Sequence, residues 1–496
     1  MNLIRYFLVA ITLTAIGSCG DFNSRPESLA NRHCSTCHAF PDPSLLDKET
    51  WKSGVFPEMA FRMGLDVSKL PNTNELELNE IIKTLPASPL VTQEEWESIQ
   101  AYYISLAPDS LMQPRDEHQK VPLQQFTPSI FRLPVKINTM LTFVKYDSVS
   151  NKIFLGTRNG KLYTLTSSLQ LIDSMQLPSP ASDMILHQND NHVISCMGIM
   201  DPSDQPVGAV IRLGIPRGNE VLMLIDSLKR PVNLQEADLD NDGNDDLVVS
   251  AFGNFSGGLL AYEQANGKYL EHVIHHFPGT RKTIVRDFNN DGLSDILALI
   301  SQGDEQIALF TNRGNFRFSF QILLKFPPVY GSSYFEIYDF NKDGNFDILY
   351  SNGDNADYSS ILKPYHGVRI FLNDGKNQFK ESWFYPMHGA SMVKSADFDE
   401  DGDLDIAAIS FFPDFQNHPE HSFIYFENDH DYFTPYITEL ASSSRWITME
   451  SGDIDGDHDL DLILGALTFP NGVPDSLFQR WQEKDASLLI LKNNLR

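Results

Sequence analysis

Five times between residues 238 and 461 the chain repeats a nine-residue acidic pattern, beginning at Asp238, Asp287, Asp339, Asp397 and Asp453. Acids or amides fill positions 1, 3, 5 and 9. They are Asp238, Asp240, Asp242 and Asp246, then Asp287, Asn289, Asp291 and Asp295, then Asp339, Asn341, Asp343 and Asp347. The last two copies carry Asp397, Asp399, Asp401 and Asp405, and Asp453, Asp455, Asp457 and Asp461. Alternate spacing turns side-chain oxygens toward one cavity, and the position 7 carbonyl can join them, as a hard cation such as calcium requires. The 20 positions hold 18 aspartates that would otherwise repel one another. Up to five calcium ions are expected, each offsetting two negative charges.

Glycine at position 6 (Gly243, Gly292, Gly344, Gly402) permits a sharp turn, but the fifth copy has His458 there. Histidine at positive φ is uncommon, so that site is expected to be distorted or weaker. An EF-hand would place a bidentate glutamate at position 12 and a helix beyond. Here position 12 is Val249, Ala298, Tyr350, Ala408 and Leu464, in runs such as Leu247-Val248-Val249 that read as strands. The copies begin 49, 52, 58 and 56 residues apart, an interval that suits four-stranded propeller blades with loop insertions. Residues 131–230 have room for two more blades without the acidic loop, which gives seven, with six or eight as the alternatives.

This motif resembles the FG-GAP or VCBS repeat, whose calcium loops join strands within propeller blades. The segments 353–358, 363–367 and 411–415 look like the inter-strand signatures of that family. Near the amino terminus, Cys34-Ser35-Thr36-Cys37-His38 has the spacing for covalent c-type haem, with two thiols for the vinyl groups and an adjacent histidine for iron. A thioredoxin-like pair would need a βαβ context, and a zinc site would need more ligands nearby. The sequence offers neither.

Residues 28–108 resemble a small class I cytochrome c domain. Pro41 and Pro43 close the turn after the motif, and Phe56-Pro57-Glu58-Met59 leads to Met63 one helical turn on. The resemblance implies Met59 as the second axial ligand, with Met63 the alternative. Thr92 and Glu95 have capping-box spacing, and Trp96, Ile99, Tyr103 and Leu106 recur on one face of a helix that Pro108 stops. The resemblance implies that this helix crosses the amino-terminal one.

Residues 1–18 read as a secretory signal, with Arg5 before an apolar run. Ala15-Ile16-Gly17-Ser18-Cys19 resembles a lipobox, which implies an acylated Cys19. A tether at 19–27 and a proline-containing linker at 109–130 complete the expected order, with the propeller at 131–496. The expected class is multidomain: a small all-α domain followed by an all-β propeller. Cys196, in an apolar run, reads as a buried small side chain. The formal charge of −28 argues against nucleic acid and anionic lipid surfaces as partners.

The reading that follows is a lipid-anchored protein of the cell envelope, periplasmic or at the outer-membrane surface, that transfers single electrons. Its propeller would dock a redox partner of basic surface, or a carbohydrate or protein ligand. Two rivals are a propeller oxidoreductase acting on a carbohydrate or alcohol with the haem as electron outlet, and an adhesion protein with a redox-sensing haem. The sequence shows no catalytic base. Lys363, Tyr365 and His366, with Asp357 nearby, form its most suggestive polar cluster, although a turn held by hydrogen bonds is the simpler account of it.

Overall fold

The computed structural model describes residues 25–65, 75–113, 121–135, 140–213, 221–354, 359, 361–430 and 432–495. The signal segment, Cys19, most of the tether and Asp357 lie outside these residues. No helix among the described residues is long and apolar enough to cross a membrane.

From Leu141 to Asn493 the chain forms seven antiparallel sheets arranged as a ring, a seven-bladed propeller. Blades 1 and 2 span 141–176 and 181–228 and lack the acidic loop, as the spacing predicts. Blades 3 to 7 begin at Pro231, Thr280, Ser332, Ala390 and Trp446, and each carries one acidic loop between its first and second strands. The first strands of successive blades contact one another round the axis, with blade 7 meeting blade 1. Second strands such as Asp246–Ala251 and Asp461–Ala466 are buried at every position, because both faces pack against neighbouring blades. Apolar side chains fill the wedges between blades, as where Leu239, Val248 and Leu259 meet Ile296, Ala308 and Phe310. Cys196 is one of these buried side chains, and burial pushes its thiol up to about 12.

The expected linker at 109–130 needs correction. Val121–Pro122 pairs in parallel with the outer strand of blade 6, and Phe126–Phe131 pairs antiparallel with Leu488–Asn493. The second of these segments is the outermost strand of blade 7, so the ring closes by joining the two ends of the domain. Its prolines are compatible with edge strands, where a missing N–H costs no ladder bond. Phe126 fixes the closure from inside, with ring centroids 5.7 Å from Phe398 and 5.2 Å from Tyr425.

Charged side chains on the first strands interlock across the axis. Lys282 pairs with Glu336 at 3.4 Å, Lys394 with Glu336 and Glu450 at 3.6 Å each, and Lys145 with Glu450 at 3.8 Å. Burial lowers the Lys282 ammonium to about 8. Glu336 lies below its ordinary value despite burial, because Lys282 and Lys394 face it.

The amino-terminal residues form a small helical module. Helices Pro26–Cys34 and Gln93–Leu106 pack against each other, and Thr92 and Glu95 form the expected capping box. Trp96, Ile99 and Tyr103 face the core, but Leu106 is exposed, since the helix ends there and its last turn has passed beyond the covered face. A helical stretch from Lys48 to Arg62 widens to a π turn at Trp51–Val55, just before Pro57, which has no N–H to offer a regular turn.

The module rests on the loops that join second to third strands and one blade to the next. Glu77 accepts from the Asp204 amide, Lys229 pairs with Glu80 at 2.5 Å, and Phe61 meets Phe255 edge to face. Tyr365 donates to the Leu45 carbonyl at 3.1 Å. These contacts span blades 2 to 5. Turns between first and second strands lie at the opposite ends of the strands, so the acidic loops occupy the other face of the ring.

Candidate functional site

Cys34 ends the first helix, Cys37 lies exposed in the turn beyond it, and neither is in a disulfide. The turn after the motif is held from beneath: Trp51 donates to the Pro43 carbonyl and Tyr103 to the Pro41 carbonyl, each at 2.9 Å. The His38 Nδ1 lies 2.8 Å from the Ala39 carbonyl, which can only accept, so Nδ1 carries the proton and Nε2 keeps its lone pair. Burial also lowers the pKa of this imidazole, and both effects suit a neutral metal ligand. Met59 and Met63 pack against the same apolar cluster as Cys34, together with Phe40, Trp51 and Phe56. The donor set therefore fits a covalently held haem, with two thiols, one prepared imidazole and a thioether within one small module.

Propeller residues complete that cluster. Val329, Tyr330 and Tyr365 belong to it, with the Tyr330 and Tyr365 rings stacked at 4.9 Å. Asp304 and Lys325 of blade 4 lie close enough to act electrostatically on His38. Beneath them Glu305, wholly buried, accepts from the amides of Gly331 at 3.1 Å and Ser332 at 2.7 Å. Burial pushes its carboxyl up to about 7. The polar cluster at 363–366 is part of this support. Lys363 is buried and donates to the Ser359 carbonyl, while His366 is buried and accepts from the Gly389 amide at Nδ1. They hold a turn, as the simpler account has it.

The acidic loops share one backbone path. Position 6 takes φ of 89°, 87°, 87° and 97° at Gly243, Gly292, Gly344 and Gly402, and 80° at His458. Position 4 is left-handed as well, at Asn241, Asn290, Lys342, Glu400 and Gly456. The fifth copy thus has its glycine at the other left-handed position and keeps the turn. The position 1 carboxylate gathers the amides of positions 5 and 6, as Asp287 does from Asp291 at 3.2 Å and Gly292 at 2.8 Å.

In three loops the structure brings three carboxylates within 4.8 Å of one another: Asp238, Asp240 and Asp246; Asp397, Asp399 and Asp401; and Asp453, Asp455 and Asp461. In the other two, the position 3 amide turns to position 5, with Asn289 donating to Asp291 and Asn341 to Asp343 at 3.0 Å. Burial and neighbouring aspartates raise Asp399 to about 6. Crowded carboxylates held in this way fit a hard cation. Position 12 is a buried strand residue in every copy, which excludes an EF-hand.

Position 9 does more than the spacing suggests. One oxygen of Asp246, Asp295, Asp347, Asp405 and Asp461 accepts from the position 2 amide of its own loop, at 2.9 to 3.1 Å. The other accepts at 2.8 Å from the end of the third strand, at Gln264, Asn312, Asn373, Asn428 and Asn493 respectively. Four of these partners are asparagines that return a bond to the position 8 carbonyl. Sequence spacing does not reveal them, because they follow position 9 by 17 to 32 residues, with no fixed interval. Nor does it single out Asp459 at position 7 of the fifth loop, buried and raised to about 6 by burial and by Asp457.

No curated protein matches the chain. Among solved structures it is similar to the N-terminal domain of Nup159, at 12% identity over 77% of this chain and 99% of that one, with a TM-score of 0.44. The WD40 domain of Neurospora crassa Pan2 is 10% identical over 75% of this chain and 98% of its own, with a TM-score of 0.45. BBS1N, solved in complex with ARL6DN, is 10% identical over 75% and 97%, with a TM-score of 0.46. Residues 287–350, which hold the acidic loops of blades 4 and 5, match the family model for the FG-GAP-like repeat.

Proposed function

We propose that this chain is a c-type cytochrome of the cell envelope whose propeller is the platform on which a redox partner docks. The observation that carries the reading is the placement of His38: its Nδ1 faces the Ala39 carbonyl at 2.8 Å, which leaves Nε2 for a metal, one residue beyond two thiols that are in no disulfide. Cys34 and Cys37 would hold the haem, His38 would ligate its iron, and Met59, or else Met63, would supply the second axial donor. Bound haem supplies a one-electron couple, which a His/Met pair sets at a higher potential than water or a second histidine would. Val329, Tyr330 and Tyr365 would shield that side of the module from water.

Up to five calcium ions in the acidic loops would stiffen the blades that carry them. The net charge of −28 favours a partner of basic surface, in a salt-dependent encounter. The signal segment and Cys19 support export and a lipid anchor. The buried, turn-holding roles of Lys363 and His366 weaken the case for an oxidoreductase centre at that cluster.

The test is periplasmic expression with a haem maturation system, followed by the absorption spectrum of the reduced protein. One covalently bound haem per chain is expected, lost in Cys34→Ser/Cys37→Ser. Colourless wild-type protein would overturn the reading.

A further inference from the structure

Among the described residues, one convergent donor set lies outside the acidic loops: His418, Glu420 and His421, with ligand atoms within 4.8 Å of one another. They sit in the loop between strands Asp405–Ser410 and Phe423–Asp429 of blade 6, on the face that carries the helical module but beyond the blades it contacts. The loop is already ordered. Asp414 accepts from the amides of Gln416 and Asn417, and the His418 amide returns to the Asp414 carbonyl at 2.7 Å. Phe415 pins the loop by packing against Leu477 and Trp481.

Pro419 starts a 3-10 turn, Pro419–Ser422, with His418 as its N-cap and His421 within it. Their rings lie 4.6 Å apart and within 5° of parallel. One oxygen of Glu420 stands 3.1 Å from His418 Nδ1 and 3.4 Å from His421 Nε2. Donors about 2.0–2.1 Å from a tetrahedral ion are about 3.3 Å from each other, so both nitrogen–oxygen pairs already have that separation. Two imidazoles and one carboxylate suit a borderline ion and suit calcium poorly, so this set is chemically distinct from the acidic loops.

We propose that His418, Glu420 and His421 bind a divalent transition-metal ion of the zinc class, with three protein donors and a position left open beside His418, whose side chain is half exposed. A set drawn from four consecutive residues closes with little chain ordering, because the turn exists beforehand.

Zn2+ binding to the full chain, measured by calorimetry with calcium in excess, tests the site. One Zn2+ per chain is expected, with affinity at least tenfold weaker in His421→Ala and in Glu420→Gln. Uptake that His418→Ala/His421→Ala leaves unchanged would overturn the proposal. A second measurement needs no variant. Electron paramagnetic resonance of one equivalent of Cu2+ should show splitting from two imidazole nitrogens, and a spectrum with oxygen ligands alone would also overturn it.

Discussion

Asp461 and Asn493 clasp each other across 32 residues: the carboxylate accepts from the Asn493 amide at 2.8 Å, and the Asn493 side chain donates to the Leu460 carbonyl at 3.2 Å. The other oxygen of Asp461 holds the Ile454 amide at 2.9 Å. Asp461→Ala strands two backbone donors, each costing about 1–3 kcal/mol when left unpaired. We expect a lower thermal midpoint whether or not calcium is present. Asp457→Ala, by contrast, should destabilise only the calcium-loaded protein. Equal effects of the two substitutions in chelator would refute the clasp.

The charges on the axis give a graded expectation. Lys394 bridges Glu336 and Glu450, so Lys394→Met leaves two partly buried carboxylates with one lysine each and should cost up to about 3 kcal/mol. Lys145 is more exposed and, among the described residues, pairs with Glu450 alone, at 3.8 Å. Lys145→Met should therefore cost clearly less in urea unfolding, and a reversed order would contradict the network.

Glu305 ties stability to pH. Its folded-state pKa of about 7 lies above the ordinary value of about 4.3, so the folded chain favours the protonated carboxyl. That contribution is complete below pH 4 and is lost as pH rises through about 7. Glu305→Gln cannot ionise. Its thermal midpoint, measured against wild type, should improve between pH 5 and pH 8, and a constant difference would place the burial of Glu305 in doubt.

Chelation probes the acidic loops together. Stripping calcium from the purified chain at pH 7.5 should lower its thermal midpoint by several degrees, and calcium rather than sodium should restore it. Fluorescence-detected melting with and without chelator would show this. An unchanged midpoint would mean that the loops stand without metal.

Much of this architecture is legible in the residues because its signals are local. Gly243, Gly292, Gly344 and Gly402 mark a turn that needs positive φ, and the strand-like residues at position 12 are enough by themselves to distinguish the loops from an EF-hand. The spacing of the copies also leaves room for blades 1 and 2. What escapes is non-local. Phe126–Phe131 reads as linker because its partner, Leu488–Asn493, lies at the far end of the chain. The asparagines that meet position 9 escape for the same reason, since the loop between second and third strands differs in length from blade to blade. His418, Glu420 and His421 escape because three polar residues in a loop carry no periodicity.

Closure by Phe126–Phe131 has a temporal consequence for the polypeptide. The segment emerges from the ribosome early, yet it has no sheet to join until Leu488–Asn493 has been synthesised and delivered. Until then the last blade exposes an unzipped edge, and the circle stays vulnerable to proteases and to pairing with other molecules. A chain lacking its final ten residues should therefore persist as an open, aggregation-prone arc, although the preceding six blades would be intact in sequence.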